Sequence, residues 1–249
     1  FIRDTFNKKS NIISDIRSNN FFKKNDETSV SIVKDLTQKG YNDKLQLEDY
    51  FLSKVTSEIS LKNCSVSFKG EKKSNQYTLS LSENDNVQAL LEKSKKFSLS
   101  HVSLDVDLKK TNYIKDIATS EFLLNIAKNY IGKDRISISG LCYISNPADI
   151  SEKEKKDNAQ YFHYDNDFKK FFKVFIYLND VDLNSGPHSF VQFSHKKRFF
   201  KHLISKRIDD NEIINCYGKG NIKTFNKSKG SLIFEDTFAP PNMARTGFS

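Results

Sequence analysis

Apolar positions recur at helical spacing through much of the first half of the chain and alternate with polar ones through the second. Residues 1 to about 28 carry scattered Phe and Ile in a polar background and predict helix and loop. From Val30 to about Ser60, Ile32, Val33 and Leu36, then Leu45, Leu47, Tyr50, Phe51 and Val55, recur as on one helical face. Gly40 divides that stretch into two helices. Alternation at Ser65–Phe68 and Tyr77–Leu81, with a turn-like Gly70 to Asn75 between them, predicts a hairpin. Ser82 to Lys96 predicts a helix on Val87, Leu90 and Leu91, and Ser98 to Leu108 a strand. Tyr113 to Ile131 carries an apolar stripe of Ile114, Ile117, Leu124, Ala127 and Ile131. Gly132 ends it, and Thr119-Ser120-Glu121 splits it with Ser120 as N-cap.

From Arg135 onward the pattern is β. Ile136, Ile138, Leu141, Tyr143 and Ile144 predict one strand, ended by Asn146-Pro147. Ala148 to Asn158 is a charged loop. Phe171 to Leu178 is a buried strand, Asn184 to Pro187 a turn, Ser189 to Phe193 a short strand, and Gly230 to Phe234 a last strand. Lys196 to Ile208 is helical or irregular.

Composition narrows the class. With 249 residues, 37% hydrophobic and 12% aromatic, the chain is sized for one domain with a real core. No apolar run approaches the roughly 18 residues of a membrane span. No apolar h-region follows Phe1-Ile2-Arg3-Asp4, and the first residue is not Met, so the expectation is a record incomplete at its front. Three widely spaced cysteines, Cys64, Cys142 and Cys216, predict reduced thiols and a cytoplasmic setting. The net charge of +9 comes overwhelmingly from Lys spread along the chain and not from an Arg-rich stripe. That distribution argues against a nucleic-acid partner and leaves a mild preference for an anionic small molecule.

The chemistry lies in Gln160-Tyr161-Phe162-His163-Tyr164-Asp165. On an extended segment, residues two apart share a face and lie roughly 7 Å from one another. His163 and Asp165 can therefore converge on one ion, and an imidazole with a carboxylate suits iron(II). A lone His-x-Asp recurs by chance in many proteins. Here it is followed by Phe171-Phe172-Lys173-Val174-Phe175-Ile176-Tyr177-Leu178-Asn179-Asp180-Val181-Asp182, then Asn184-Ser185-Gly186-Pro187-His188, then Phe193-Ser194-His195-Lys196. This order resembles the phytanoyl-CoA dioxygenase family. There too, His-x-Asp precedes an apolar strand, a Leu-x-Asp-Val-Asp turn, an Asn-x-Gly-Pro turn and a Gly-Ser-His-Lys turn. Phe193 stands where that last turn has Gly. The resemblance spans roughly residues 110–240 and takes in Gly230 to Thr237.

The resemblance implies a mainly β fold with flanking helices. Its core would be a double-stranded β-helix (a cupin-like jelly roll). Residues 1–110 would buttress a core of residues 111–249 in a single domain. It implies an Fe(II)/2-oxoglutarate-dependent dioxygenase with His163 and Asp165 as metal ligands and a small-molecule substrate. Dioxygen and 2-oxoglutarate would give succinate and carbon dioxide. An Asp at position 165, where related halogenases lack a carboxylate, favours hydroxylation. Cys142 and Phe175 match positions that resemble cosubstrate-lining ones, and Lys173 shares a strand face with Phe175.

The pattern breaks at the end. The family's second His would fall at Pro241, and its cosubstrate-binding Arg beyond Ser249, with Arg245 too early to stand for it. His188 and His195 lie in turns where intact relatives carry similar residues that are not ligands. Either the last residues are a truncation or frame change, or the chain is a catalytically impaired paralogue that keeps the barrel as a binding or scaffold protein.

Overall fold

The computed structural model describes residues 2–4, 20–68, 82, 85–96, 101–133, 135–145, 162–163, 170–196, 208–236 and 244–245. Its strands are β1 (Ile2–Asp4), β2 (Tyr41–Gln46), β3 (Cys64–Phe68), β4 (His101–Val106), β5 (Ile136–Ile138), β6 (Gly140–Ser145), β7 (Phe171–Ile176), β8 (Ser189–Val191), β9 (Ile222–Thr224), β10 (Ser231–Glu235) and β11 (Ala244–Arg245). Its helices are α1 (Ser29–Lys39), α2 (Asp49–Glu58), α3 (Val87–Lys96), α4 (Tyr113–Ala118), α5 (Glu121–Ile131) and α6 (Asp210–Tyr217). Helix and strand content is mixed, where the sequence predicts a mainly β chain.

Local chemistry sets the helix limits. Thr28 and Ser31 form a reciprocal capping box at the start of α1, and Gly40 closes it in the left-handed conformation. Ser120 caps α5 and Gly132 ends it, so the predicted break between α4 and α5 is present. Buried Phe122, Leu123, Ile126, Ala127, Tyr130 and Ile131 give α5 a broad apolar face, which packs on α1. Across that contact Asn125 Nδ2 donates to Ser29 Oγ at 2.8 Å. Each large apolar side chain buried there contributes roughly 1.5–3 kcal/mol.

The strands form three antiparallel sheets: β2-β10-β7-β1-β5, β11-β8-β9 and β3-β4-β6. One face of the five-stranded sheet joins the main core. Leu45, Phe172, Leu232 and Phe234 pack there with helix residues Ile32, Leu36, Phe122 and Ile126. The other face carries Tyr41 and Ile233. These pack with Phe190 of β8 and with Phe225, which follows β9. The Tyr41 ring lies 5.9 Å from Phe190 and 5.5 Å from Phe225. The five-stranded sheet thus faces the β11-β8-β9 sheet across an aromatic layer.

Several expectations need correction. Residues 2–4 were predicted as helix or loop but form β1, held between β5 and β7; three residues are too few to show a period. Leu45 and Leu47 belong not to a helix but to the end of β2 and the position after it, where spacing of two also puts both inward. Tyr50, placed on the apolar stripe, is 57% exposed. The single strand over 136–144 is two strands in different sheets. Just past the break, a Cβ on Gly140 would come within 3.1 Å of Val106 Cβ, so a larger residue there would crowd β4. The second strand of the predicted hairpin, at 77–81, and the loop at 148–158 lie outside the described residues. β3 pairs with β4. Helix α6 was not foreseen, although Asp209, whose side chain accepts from Glu212 N, is a readable cap.

Phe193 has φ +62 in the turn after β8. This is the position at which the resembling motif carries Gly. A bulky residue held in the left-handed region costs about 1–2 kcal/mol, and the side chain is 43% exposed, so little packing would be lost on its removal. Phe193→Gly is therefore expected to stabilise the fold by about 1 kcal/mol, raising the melting temperature by a few degrees. A lower melting temperature would mean that the ring contributes more than its backbone costs.

Candidate active site

β7 and β10 build the wall of the candidate site. Their register pairs Ile233 with Phe175 and Glu235 with Lys173. Directly paired residues share a sheet face, so Lys173, Phe175, Ile233 and Glu235 all lie on the face that looks towards β8 and β9. Phe175, Lys173 and the following Tyr177 are half-buried there, while Glu235 is fully buried.

Gly186, at φ +68, turns the chain into Pro187 and His188. The His188 imidazole is buried, with its Nε2 2.9 Å from Glu235 Oε2. It is clamped between aromatic rings, 4.7 Å from Phe175 and 5.9 Å from Phe225 between centroids, nearly parallel to the latter. Its carbonyl accepts from Phe225 N at 2.9 Å. Nε2 and Oε2 share one proton in this hydrogen bond. His188 Nδ1 and Glu235 Oε1 are both buried without a hydrogen-bond partner. Tyr177 Oη donates to Phe225 O at 3.1 Å, and burial pushes its phenol above the ordinary range.

His163 is half-buried. Its neighbour Phe162 is bridged to Ile208 and packs in a separate cluster with Val191, Ile213 and Tyr217. Adjacent positions on extended backbone point to opposite sides, so the burial of Phe162 turns His163 away from that cluster. Asp165 and Pro241 lie outside the described residues. Among the described residues, no three His, Cys, Asp or Glu side chains are grouped so that they could hold a metal ion. Arg245, in β11, pairs with Ser189 in β8.

The structure brings Lys173 and Phe175 onto one face and sets Cys142 elsewhere. Cys142 is buried in the main core, opposite Leu104 of β4, and burial pushes its thiol up to about 12. It is thus a neutral packing group. His195 is also set apart. Its Nε2 lies 3.0 Å from Thr37 O, at the end of α1.

Glu235 had no role in the sequence reading. Its signal was present: Ser231, Ile233 and Glu235 alternate with Leu232 and Phe234. A glutamate ending such an apolar strand needs a partner if the strand is central.

No family model matches the chain, and no curated protein matches it. Among solved structures it is similar to the crystal structure of the non-heme alpha ketoglutarate dependent carbocyclase SnoK from nogalamycin biosynthesis. The TM-score is 0.53 at 12% identity, over 88% of this chain and 78% of that one. At that identity the likeness is one of fold. Among the described residues, no helix is long and apolar enough to cross a membrane.

Proposed function

We propose that this chain is a phytanoyl-CoA dioxygenase-like oxygenase that uses iron(II), dioxygen and 2-oxoglutarate to hydroxylate a small molecule in the cytoplasm. The observation that carries this reading is His163-x-Asp165 within a fold shared with an α-ketoglutarate-dependent enzyme. The two facing sheets are read as halves of a double-stranded β-helix in a single domain, with residues 1–110 as its buttress. His163 and Asp165 would hold the iron, whose donor preference they suit. When bound, the metal centre and its cosubstrate supply the oxidising power. Phe175 and Lys173 would line the cosubstrate side, and their half-buried state is compatible with access. Cys142, closed into the main core, contributes packing. An anionic substrate fits the excess of lysine, and neither a membrane nor a nucleic acid is expected as partner.

A second reading rests on one observation. Pro241 falls where the resembling family carries a second histidine ligand. A chain lacking that ligand would keep the barrel but bind iron weakly, as a binding or scaffold protein.

Succinate formation separates the two. Under air, with iron(II) and 2-oxoglutarate, the chain is expected to produce succinate. Both His163→Ala and Asp165→Ala should abolish it. Turnover that persists in both variants would contradict the proposed ligand pair, and none in the unmodified chain favours the scaffold reading.

A further inference from the structure

Phe162 and His163 lie outside strands β1 to β11. Their backbone is joined to the fold at the bridge to Ile208, whose N–H donates to Phe162 O at 2.9 Å. One bridge leaves the facing of an extended segment weakly specified, because a slip of one residue exchanges its two sides. The Phe162 side chain removes that freedom. It is 2% exposed and packs with Val191 of β8, with Ile208, and with Ile213 and Tyr217 of α6. A slip would drive the His163 imidazole into this apolar cluster and expel the Phe162 ring, and both changes are unfavourable.

The cluster is separate from the main core, and α6 is its outer wall. The helix starts directly after the bridge, where the Asp209 side chain accepts from Glu212 N at 2.9 Å. Ile213 and Tyr217 are four residues apart, so they share one face, and both are buried. At the far end Asn221 Nδ2 donates to Tyr217 O at 2.7 Å, and the chain continues into β9, where Ile222 pairs with Val191. Bridge, cap, helix and return thus enclose Phe162 against β8.

We propose that α6 is the positioning element for the metal ligand His163. Ile213 and Tyr217 hold the Phe162 ring in the cluster, and this keeps the adjacent imidazole on the opposite side, in its ligating orientation. The inference rests on the iron reading above and adds a positioning device to it. Such coupling is reciprocal. Packing of α6 that readies His163 for iron is itself strengthened, by the same factor, when iron binds. A small cluster outside the main core can open locally, so the strengthening is measurable at α6.

Two measurements on the full chain under nitrogen test this, with iron(II) as the probe. The first is backbone hydrogen exchange with and without iron(II). The amides of α6 are expected to exchange at least about tenfold more slowly when iron is bound, with those of α2 unchanged. The second compares the iron(II) affinity of Ile213→Ala with that of Ile126→Ala, alongside their melting temperatures. Both isoleucines are fully buried, in separate clusters, and both variants lose the same atoms. Ile213→Ala is expected to bind iron(II) at least about tenfold more weakly, as when His163 keeps its ligating orientation about a tenth of the time. Ile126→Ala should bind as the unmodified chain does, and Ile213→Val, which refills most of the space, nearly so. Equal weakening in the two alanine variants overturns the positioning role, since it reports general damage. An iron-bound chain whose α6 gains no protection overturns it as well, even where Ile213→Ala fails to fold, and leaves the iron reading standing. Failure of the unmodified chain to bind iron(II) overturns the iron reading, and the positioning role falls with it.

Discussion

Glu235→Ala is expected to destabilise the protein by about 3 kcal/mol, the cost of leaving the buried His188 ring without its hydrogen-bond partner. Glu235 is fully buried and His188 is 5% exposed, so water cannot replace the lost carboxylate without opening the aromatic layer. A domain of this size has roughly 5–15 kcal/mol of total stability, so the loss is a large share of it. The double variant Glu235→Leu/His188→Leu should lose less than Glu235→Ala alone, because it removes both polar partners together and refills the space. Urea unfolding followed by circular dichroism gives both values. Strictly additive single and double effects would mean that the two side chains are not energetically coupled.

Gly40→Ala is the second large effect, at about 2–5 kcal/mol. Gly40 has φ +91, and an added Cβ would sit 2.9 Å from both Phe190 Cζ and His195 Nδ1. The left-handed conformation costs a non-glycine residue about 1–2 kcal/mol, and overpacking a fixed core ring adds about 1–3 kcal/mol. Phe190 is fully buried and cannot swing aside. Gly40 also accepts from Asp236 N at 2.8 Å, so a shift of this corner would pull on the end of β10 beside Glu235. A thermal melt checks the prediction. A loss below about 1 kcal/mol would show that the corner relaxes freely.

How much of this could be read from the residues depended on whether the decisive interaction was local. Both limits of α5 were legible because Ser120 and Gly132 act on their own neighbours. β7 and β10 were legible as short apolar runs bounded by turn residues. β1 and β2 were not. β1 exists only through its pairing with β5 and β7, and Leu45 and Leu47 fit a strand as well as a helix edge. In β2, Asn42 is fully buried because Glu27 and Asp35 accept from its amide at 3.0 and 2.8 Å, contacts that alternation does not reveal. At the site, the shared face of Lys173 and Phe175 followed from period two. The pairing of His188 with Glu235 joins positions far apart in the chain, and no local pattern announces it. Phe193 shows the reverse case. Its backbone takes the left-handed conformation at the position where the resembling motif carries glycine.

The central claim is that this fold still assembles an iron and 2-oxoglutarate centre on His163 and Asp165. The most direct measurement is the visible absorption spectrum of the chain under nitrogen, with iron(II) and 2-oxoglutarate added together. The account predicts a metal-to-ligand charge-transfer band that needs both additions and is lost in His163→Ala and Asp165→Ala. A folded chain that gives no such band, or a band indifferent to both substitutions, would contradict it.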